Sequence, residues 1–117
     1  MSKGPEAQIQ AAIMDYLATE RILAFRNNTG AMFGYHNGKK WAVRFGVPGM
    51  ADIVSYPKLK RPSGAWTEIY DGILWIEVKA PKGKQSELQK DFQKLVESHG
   101  HTYLLATSVD EVMEFLK

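Results

Sequence analysis

The feature that most constrains this chain is an apolar run that ends in two charged residues. Residues 73–79 have the sequence Ile-Leu-Trp-Ile-Glu-Val-Lys, and such a run of β-branched and aromatic residues predicts a buried strand. Because side chains alternate along a strand, Glu77 and Lys79 share one face while Val78 points into the core. Burying charge is costly unless the charge is paired or meets a metal. The run therefore predicts either a salt bridge at the strand end or a functional site there.

The remaining sequence predicts helices around a small sheet. A first helix is expected over residues 5–20, because Pro5 suits the first helical position and apolar residues follow at four-residue spacing. Two further helices are expected after the capping residues Ser86 and Ser108. The apolar stripe of the second helix is expected to be Leu88, Phe92, Leu95 and Val96. Strands are expected at 21–25, 41–45, 52–56, 73–79 and 101–107, with an exposed loop at 58–64. This order predicts an α/β fold, a mixed β-sheet flanked by α-helices.

The composition is that of one globular domain spanning residues 1–117. The chain has 117 residues, is 44% apolar and contains no Cys, a size and composition that suit a single core. The lack of Cys excludes a disulfide framework, a thiolate zinc site and a cysteine nucleophile. No apolar stretch reaches the ~18 residues of a membrane span, and the N-terminus lacks a signal-peptide core. The protein is therefore expected to be soluble, intracellular and independent of a membrane.

Positive charge is concentrated in the middle third of the chain. The net charge is only +2, yet residues 39–61 hold six basic residues against Asp52 alone. This asymmetry predicts a polyanionic partner such as nucleic acid, the alternative being a solvated face that keeps the protein in solution. The predicted nucleic-acid-binding residues are Lys39, Lys40, Arg44, Lys58, Lys60, Arg61, Lys82 and Lys84.

A second acid strengthens the site interpretation of the 73–79 run. Asp52 stands 25 residues before Glu77, at the head of the strand predicted at 52–56. If the two strands pair, both carboxylates reach the same end of the sheet. Two carboxylates and the backbone carbonyl of Val78 form a set of hard oxygen ligands, which suits Mg²⁺ or Mn²⁺. Lys79 would then lie beside the metal. There its side chain could position or deprotonate a water nucleophile and offset the negative charge that grows on a phosphate.

The ordered set of motifs resembles the PD-(D/E)XK nuclease superfamily, and its VRR-NUC branch in particular. The resemblance covers about residues 5–107, nearly the whole chain. The chain departs from the superfamily pattern at Ala51, where a proline is expected before the aspartate; that proline shapes the backbone and supplies no ligand. The matching pieces are Glu6 on the first helix, Asn27-Asn28, the segment 46–52, the segment 75–79 and the segment 83–89.

The resemblance implies a restriction-endonuclease-like core and a role for each matching residue. It implies that Asp52, Glu77 and the Val78 carbonyl bind Mg²⁺ or Mn²⁺, with Glu6 as a further acid near the metal. It implies that Lys79 is the catalytic lysine and that Gln89 reaches back to the site from the second helix. Without the resemblance, Glu6 could simply complement its helix dipole and Gln89 could be a solvated helix residue.

The implied function is a divalent-metal-dependent endonuclease that hydrolyses DNA phosphodiesters and leaves 3′-hydroxyl and 5′-phosphate ends. Small stand-alone VRR-NUC proteins, often phage-encoded, resemble structure-selective nucleases that act as homodimers. Holliday junction cleavage is therefore the expected activity, since a twofold dimer matches a junction that needs two cuts. The alternatives are a flap, gap or restriction-type nuclease of the same superfamily, and a catalytically inactive DNA-binding module.

Overall fold

The computed structural model describes residues 4–27, 30–45, 48–57 and 73–117, with the backbone alone for 30–33 and 41–45. This part of the chain is a mixed α/β fold, as the order of elements predicts. Its helices are α1 (Pro5–Thr19), α2 (Glu87–Ser98) and α3 (Val109–Phe115). Its strands are β1 (Leu23–Arg26), β2 (Gly30–His36), β3 (Lys39–Phe45), β4 (Ile53–Tyr56), β5 (Leu74–Val78) and β6 (Thr102–Ala106).

Four strands form a mixed sheet in the order β1-β4-β5-β6. Strand β4 pairs antiparallel with both β1 and β5, whereas β5 and β6 run parallel. A parallel pair needs a crossover connection, and α2 lies in that connection. The strand of the charged run, β5, is thereby buried between two partners in the middle of the sheet.

The alternation of side chains along β5 gives the sheet two different faces. Ile76 and Val78 belong to a core cluster with Ile13 of α1 and Val112 of α3. Trp75 belongs to the opposite cluster and packs edge-on against Phe92 of α2, with ring centroids 5.0 Å apart. Because Glu77 alternates with Ile76 and Val78, it lies on the α2 side of the sheet.

Helix α2 packs through a narrower stripe than its sequence predicts. Phe92 and Val96 are buried as expected, but Leu88 and Leu95 are 56% and 55% exposed. The prediction for the two leucines is therefore wrong, and the rotation of the helix about its axis explains why. Gln89 in the first turn faces the sheet and donates a hydrogen bond to Glu77. Positions 89, 92 and 96 then form the inner stripe, and both leucines lie to its sides.

Strands β2 and β3 form a separate antiparallel hairpin in which Gly30 pairs with Phe45 and His36 with Lys39. Asn37 and Gly38 connect them with φ angles of 52° and 77°, as a type I′ turn requires. The sequence predicts this turn and the 41–45 strand but misses β2. Whether the side chains of 41–45 are half-buried, as predicted, lies outside the described residues.

Two smaller differences concern the first strand and the loop at 58–64. The strand predicted at 21–25 begins two residues later, at Leu23, because Arg21 adopts a φ of 59° in the turn that ends α1. The predicted loop at 58–64 lies outside the described residues. No helix in the described ranges combines the length and the hydropathy needed to cross a membrane.

Candidate active site

Strand register brings Asp52 and Glu77 together. In the antiparallel β4–β5 pair Ile53 lies opposite Ile76, so one step further along the ladder Asp52 faces Glu77. Directly opposite residues project to the same side of an antiparallel pair. The carboxylate of Asp52 also accepts a hydrogen bond from the backbone N–H of Val78, at 2.8 Å. The two predicted acids therefore meet at one end of the sheet, on one face.

The backbone at Asp52 is held from the neighbouring strand. Asn27, which follows β1, donates from its backbone N–H to the Asp52 carbonyl at 2.8 Å. Its side-chain amide donates to the Ala51 carbonyl at 3.0 Å, and Ala51 is fully buried. These bonds fix the segment at the position where the superfamily pattern has proline.

Glu77 is a buried carboxylate with incomplete hydrogen bonding. The residue is 2% exposed. Its Oε2 atom accepts a hydrogen bond from Gln89 Nε2 at 3.1 Å and lies 3.9 Å from the Lys79 ammonium. Its Oε1 atom is buried and has no protein partner among the described residues. One oxygen of Glu77 is thus left for a proton or a cation.

The surroundings of Glu77 favour its neutral form. Burial is the largest cause that raises its pKa to about 8, and the charge and hydrogen bonding of Asp52 add to the effect. The Lys79 ammonium opposes this rise, and the more distant charge of Glu6 adds to it. Two acids close enough to share a proton repel each other when both are ionised. A cation between them would relieve that repulsion.

Gln89 connects the first turn of α2 to the site. Its Oε1 atom accepts from the backbone N–H of Ser86 at 2.8 Å, while the Ser86 hydroxyl accepts from its backbone N–H. This capping box fixes the start of the helix. The Nε2 atom of the same side chain is then directed at Glu77. The Gln89 side chain is therefore held by hydrogen bonds to Ser86 and Glu77 and is not freely solvated.

Glu6 and Lys79 both lie at the end of β5. Glu6 lies in the first turn of α1, and its carboxylate accepts a hydrogen bond of 3.4 Å from the backbone N–H of Ala80. Lys79 follows β5, and its side chain is only 15% exposed. The structure thus brings Glu6, Lys79 and Gln89 to the strand end at which Asp52 faces Glu77.

The donor chemistry of this strand end fits a divalent cation. Asp52, Glu77 and the Val78 carbonyl supply oxygens, the ligands that Mg²⁺ and Mn²⁺ prefer. The Oε1 atom of Glu77, which has no partner among the residues that the structure describes, is the observation that supports this fit. In the described part of the chain, no group of three or more His, Asp or Glu side chains converges on a single metal position. Backbone and water ligands would have to complete the coordination shell.

The predicted nucleic-acid-binding residues are spread over the molecule. Lys39 and Lys40 lie at the exposed end of the β2–β3 hairpin, and Lys82 and Lys84 lie in the exposed segment between β5 and α2. The side chain of Arg44 lies outside the described residues, as do Lys58, Lys60 and Arg61.

A polar network near the site, formed by Gln85, Gln93 and Tyr103, was not predicted from the sequence. Gln85 donates from Nε2 to the Tyr103 hydroxyl at 3.0 Å and to Gln93 Oε1 at 3.1 Å. Burial is the main cause that raises the pKa of Tyr103 to about 12, against the hydrogen bond from Gln85; the charges of Glu77 and Asp52 raise it further. The network links α2 and β6 beside the acids. Only strand alternation could have placed Tyr103 on this face.

Comparisons of the chain with protein-family models, curated proteins and solved structures found no match. The case for a function therefore depends on the chain's own residues and on their geometry.

Proposed function

We propose that this chain is a divalent-metal-dependent endonuclease that hydrolyses DNA phosphodiesters, with a restriction-endonuclease-like core of the VRR-NUC branch. The observation that carries the proposal is the pairing of Asp52 opposite Glu77, with the Lys79 ammonium 3.9 Å from Glu77. A structural salt bridge would need only one acid. Two acids and a lysine at a buried strand end match the needs of phosphate chemistry.

Each residue has a task in the proposed reaction. Asp52, Glu77 and the Val78 carbonyl would hold Mg²⁺ or Mn²⁺, which supplies Lewis acidity towards phosphate and water. Lys79 offsets the negative charge that grows on the phosphate oxygens. The oxygen of water bonds to phosphorus while the bond from phosphorus to the 3′ oxygen breaks. The 3′ oxygen takes up a proton, which leaves a 3′-hydroxyl and a 5′-phosphate.

Gln89 and Glu6 position the acids in this scheme. Gln89 donates to Oε2 of Glu77, and Oε1 is the oxygen without a partner among the described residues. Glu6 bonds the backbone at Ala80, directly after the lysine. Both contacts restrict the strand end, and a catalytic arrangement must be held to within a fraction of an ångström.

The substrate we propose is branched DNA, with the Holliday junction as the leading member of that class. One chain has one such site and makes one cut, whereas a junction needs two symmetry-related cuts. A homodimer with a twofold axis would supply both. The basic segment would contact backbone phosphates, a recognition that depends on DNA shape and not on base sequence.

The test is a cleavage panel of four-way junction, flap, duplex and single-stranded DNA with Mg²⁺ or Mn²⁺. We expect the wild-type protein to cut the junction, and Glu77→Gln and Asp52→Asn to reduce cutting to background. Lys79→Ala should lower turnover but keep the thermal stabilisation that Mn²⁺ gives. Glu87→Gln, an acid on α2 with a side chain 87% exposed, is the matched control and should cut normally.

Several outcomes would revise the proposal in defined ways. A preference for flaps would keep the nuclease and remove the junction. Binding without cleavage by the wild-type protein would indicate an inactive DNA-binding module. Sedimentation at the mass of one 13.2 kDa chain at micromolar concentration would contradict a preformed dimer. Normal cleavage by both acid variants would contradict the site itself.

A further inference from the structure

The β2–β3 hairpin stands apart from the rest of the described fold. Its two strands pair along seven positions, yet among the described elements neither strand lies in contact with any helix or with the central sheet. At about 3.4 Å per residue, seven residues extend roughly 24 Å. An isolated two-stranded hairpin is only marginally stable in water.

The charge of the hairpin favours a polyanionic partner. Residues 30–45 contain Lys39, Lys40 and Arg44 and no acidic residue. At its end His36 lies opposite Lys39, and Tyr35 lies opposite Lys40. Opposite residues share a face, so each face of the end carries a ring beside an amine. Tyr35 is 76% exposed.

The residues that flank the hairpin in the sequence lie next to the candidate active site. It is inserted between Asn27, which bonds the Asp52 and Ala51 carbonyls, and the turn at Pro48-Gly49. Gly49 has a φ of +84°, and a side chain there would collide with the backbone of Leu88 in the first turn of α2. Both ends of the insertion are thus fixed within a few residues of the acids.

We propose that the β2–β3 hairpin is a DNA-binding arm that lies along the duplex flanking the cut site. A two-stranded ribbon fits the major groove, which is about 12 Å wide, and the lysines at its end reach backbone phosphates. The arm spans the length of about seven base pairs, at roughly 3.4 Å each. This inference rests on the proposed function, because the duplex it holds is the one that the site cuts.

The experiment compares two variants that lose the same charge. Lys39→Ala/Lys40→Ala removes the end of the arm, and Lys94→Ala/Lys117→Ala removes two exposed lysines from helix α2 and the C-terminus. Binding of a labelled 30-bp duplex and of a four-way junction is followed by fluorescence anisotropy in EDTA, where no cutting occurs. Circular dichroism of both variants confirms that each has kept its fold.

We expect the arm variant to bind both DNAs at least about fivefold more weakly at 0.1 M salt. The slope of log K against log salt should fall by about 1.8, since each lost phosphate contact removes about 0.9. The control variant should stay within about twofold of wild type with an unchanged slope.

Equal losses in the two variants would overturn the proposal, because net charge alone would then account for binding. Unchanged binding by the arm variant, with or without a change from dimer to monomer in sedimentation, would also overturn it; the change would assign the arm to a second copy of the chain. If wild type binds DNA without cutting it and the arm variant loses that binding, the result supports the arm and contradicts the proposed nuclease function. Wild type that does not bind DNA would overturn both.

Discussion

Replacing Glu77 by glutamine is expected to stabilise the metal-free protein at alkaline pH and to remove its response to metal. Glutamine keeps the shape of the side chain and has no charge to bury. The wild-type pKa rises from 4.5 to about 8, so between these values the folded state holds a proton that the unfolded state has released. The stability that this proton contributes is fully present below pH 4.5 and is lost as the pH rises through 8.

The size of this effect follows from the proton linkage. One proton contributes up to about 1.4 kcal/mol for each pH unit in the window. Solvent screens part of it, so we expect wild type to lose on the order of 2–4 kcal/mol between pH 5 and 9. Glu77→Gln should lose little from this source. At pH 9 the variant should melt on the order of 10 °C higher than wild type.

The assay is thermal denaturation in EDTA at five pH values from 5 to 9, repeated with Mn²⁺. A cation that binds only the folded state raises stability by about 2.7 kcal/mol at a hundred times its dissociation constant. Wild type should show this increase and Glu77→Gln should not. Glu87→Gln, whose charge is in solvent, should follow wild type within about 0.5 kcal/mol.

Two results would refute the reasoning. One is a wild-type melting temperature in EDTA that Glu77→Gln leaves unchanged at every pH, since Glu77 would then be ionised without cost. The other is a Mn²⁺ response that survives in Glu77→Gln, since the carboxylate would then not hold the cation. The first contradicts the buried acid, and the second contradicts only its proposed use.

Two further substitutions test the frame of the site. Gly49→Ala should cost more than about 2 kcal/mol of unfolding free energy in urea, because a side chain there collides with Leu88; Gly100→Ala is the control, with the same φ of about +85° but open space. A similar cost for both would show that the φ angle alone matters. Ser86→Ala should cost about 1 kcal/mol, since its hydroxyl accepts from the Gln89 N–H; urea denaturation showing no loss would contradict the cap.

The sequence predicts the strand and the charged residues at its end because that signal is local. An apolar run that ends in Glu77 and Lys79 predicts a strand by composition, and alternation gives the shared face. The direction in which β4 and β5 pair is not local. Antiparallel pairing is what sets Asp52 opposite Glu77, and nothing within either strand specifies it. The sequence therefore predicts the two acids, but it predicts that they meet only if the two strands pair.

Other features escaped sequence analysis for physical reasons. Strand β2 begins with Gly30 and contains Gly34, and glycine weakens a strand signal. Leu88 and Leu95 fit an amphipathic stripe but are exposed, because the bond from Gln89 to Glu77 sets the rotation of α2. That bond is a tertiary contact between residues twelve positions apart. Helical periodicity does not contain this information.

The balance of donors and acceptors at the strand end favours the proposed metal site over a salt bridge that serves only the fold. A salt bridge that served the fold would satisfy both oxygens of Glu77, because an unpaired buried acceptor costs about 1–3 kcal/mol. Here the Lys79 ammonium lies at 3.9 Å and the amide of Gln89 goes to the same oxygen. The other oxygen has no partner in the described chain, and Asp52 adds a second acid of like charge beside it. Such an arrangement lowers stability unless a proton or a cation joins it, and a stabilising response to a cation is the property that a metal site requires.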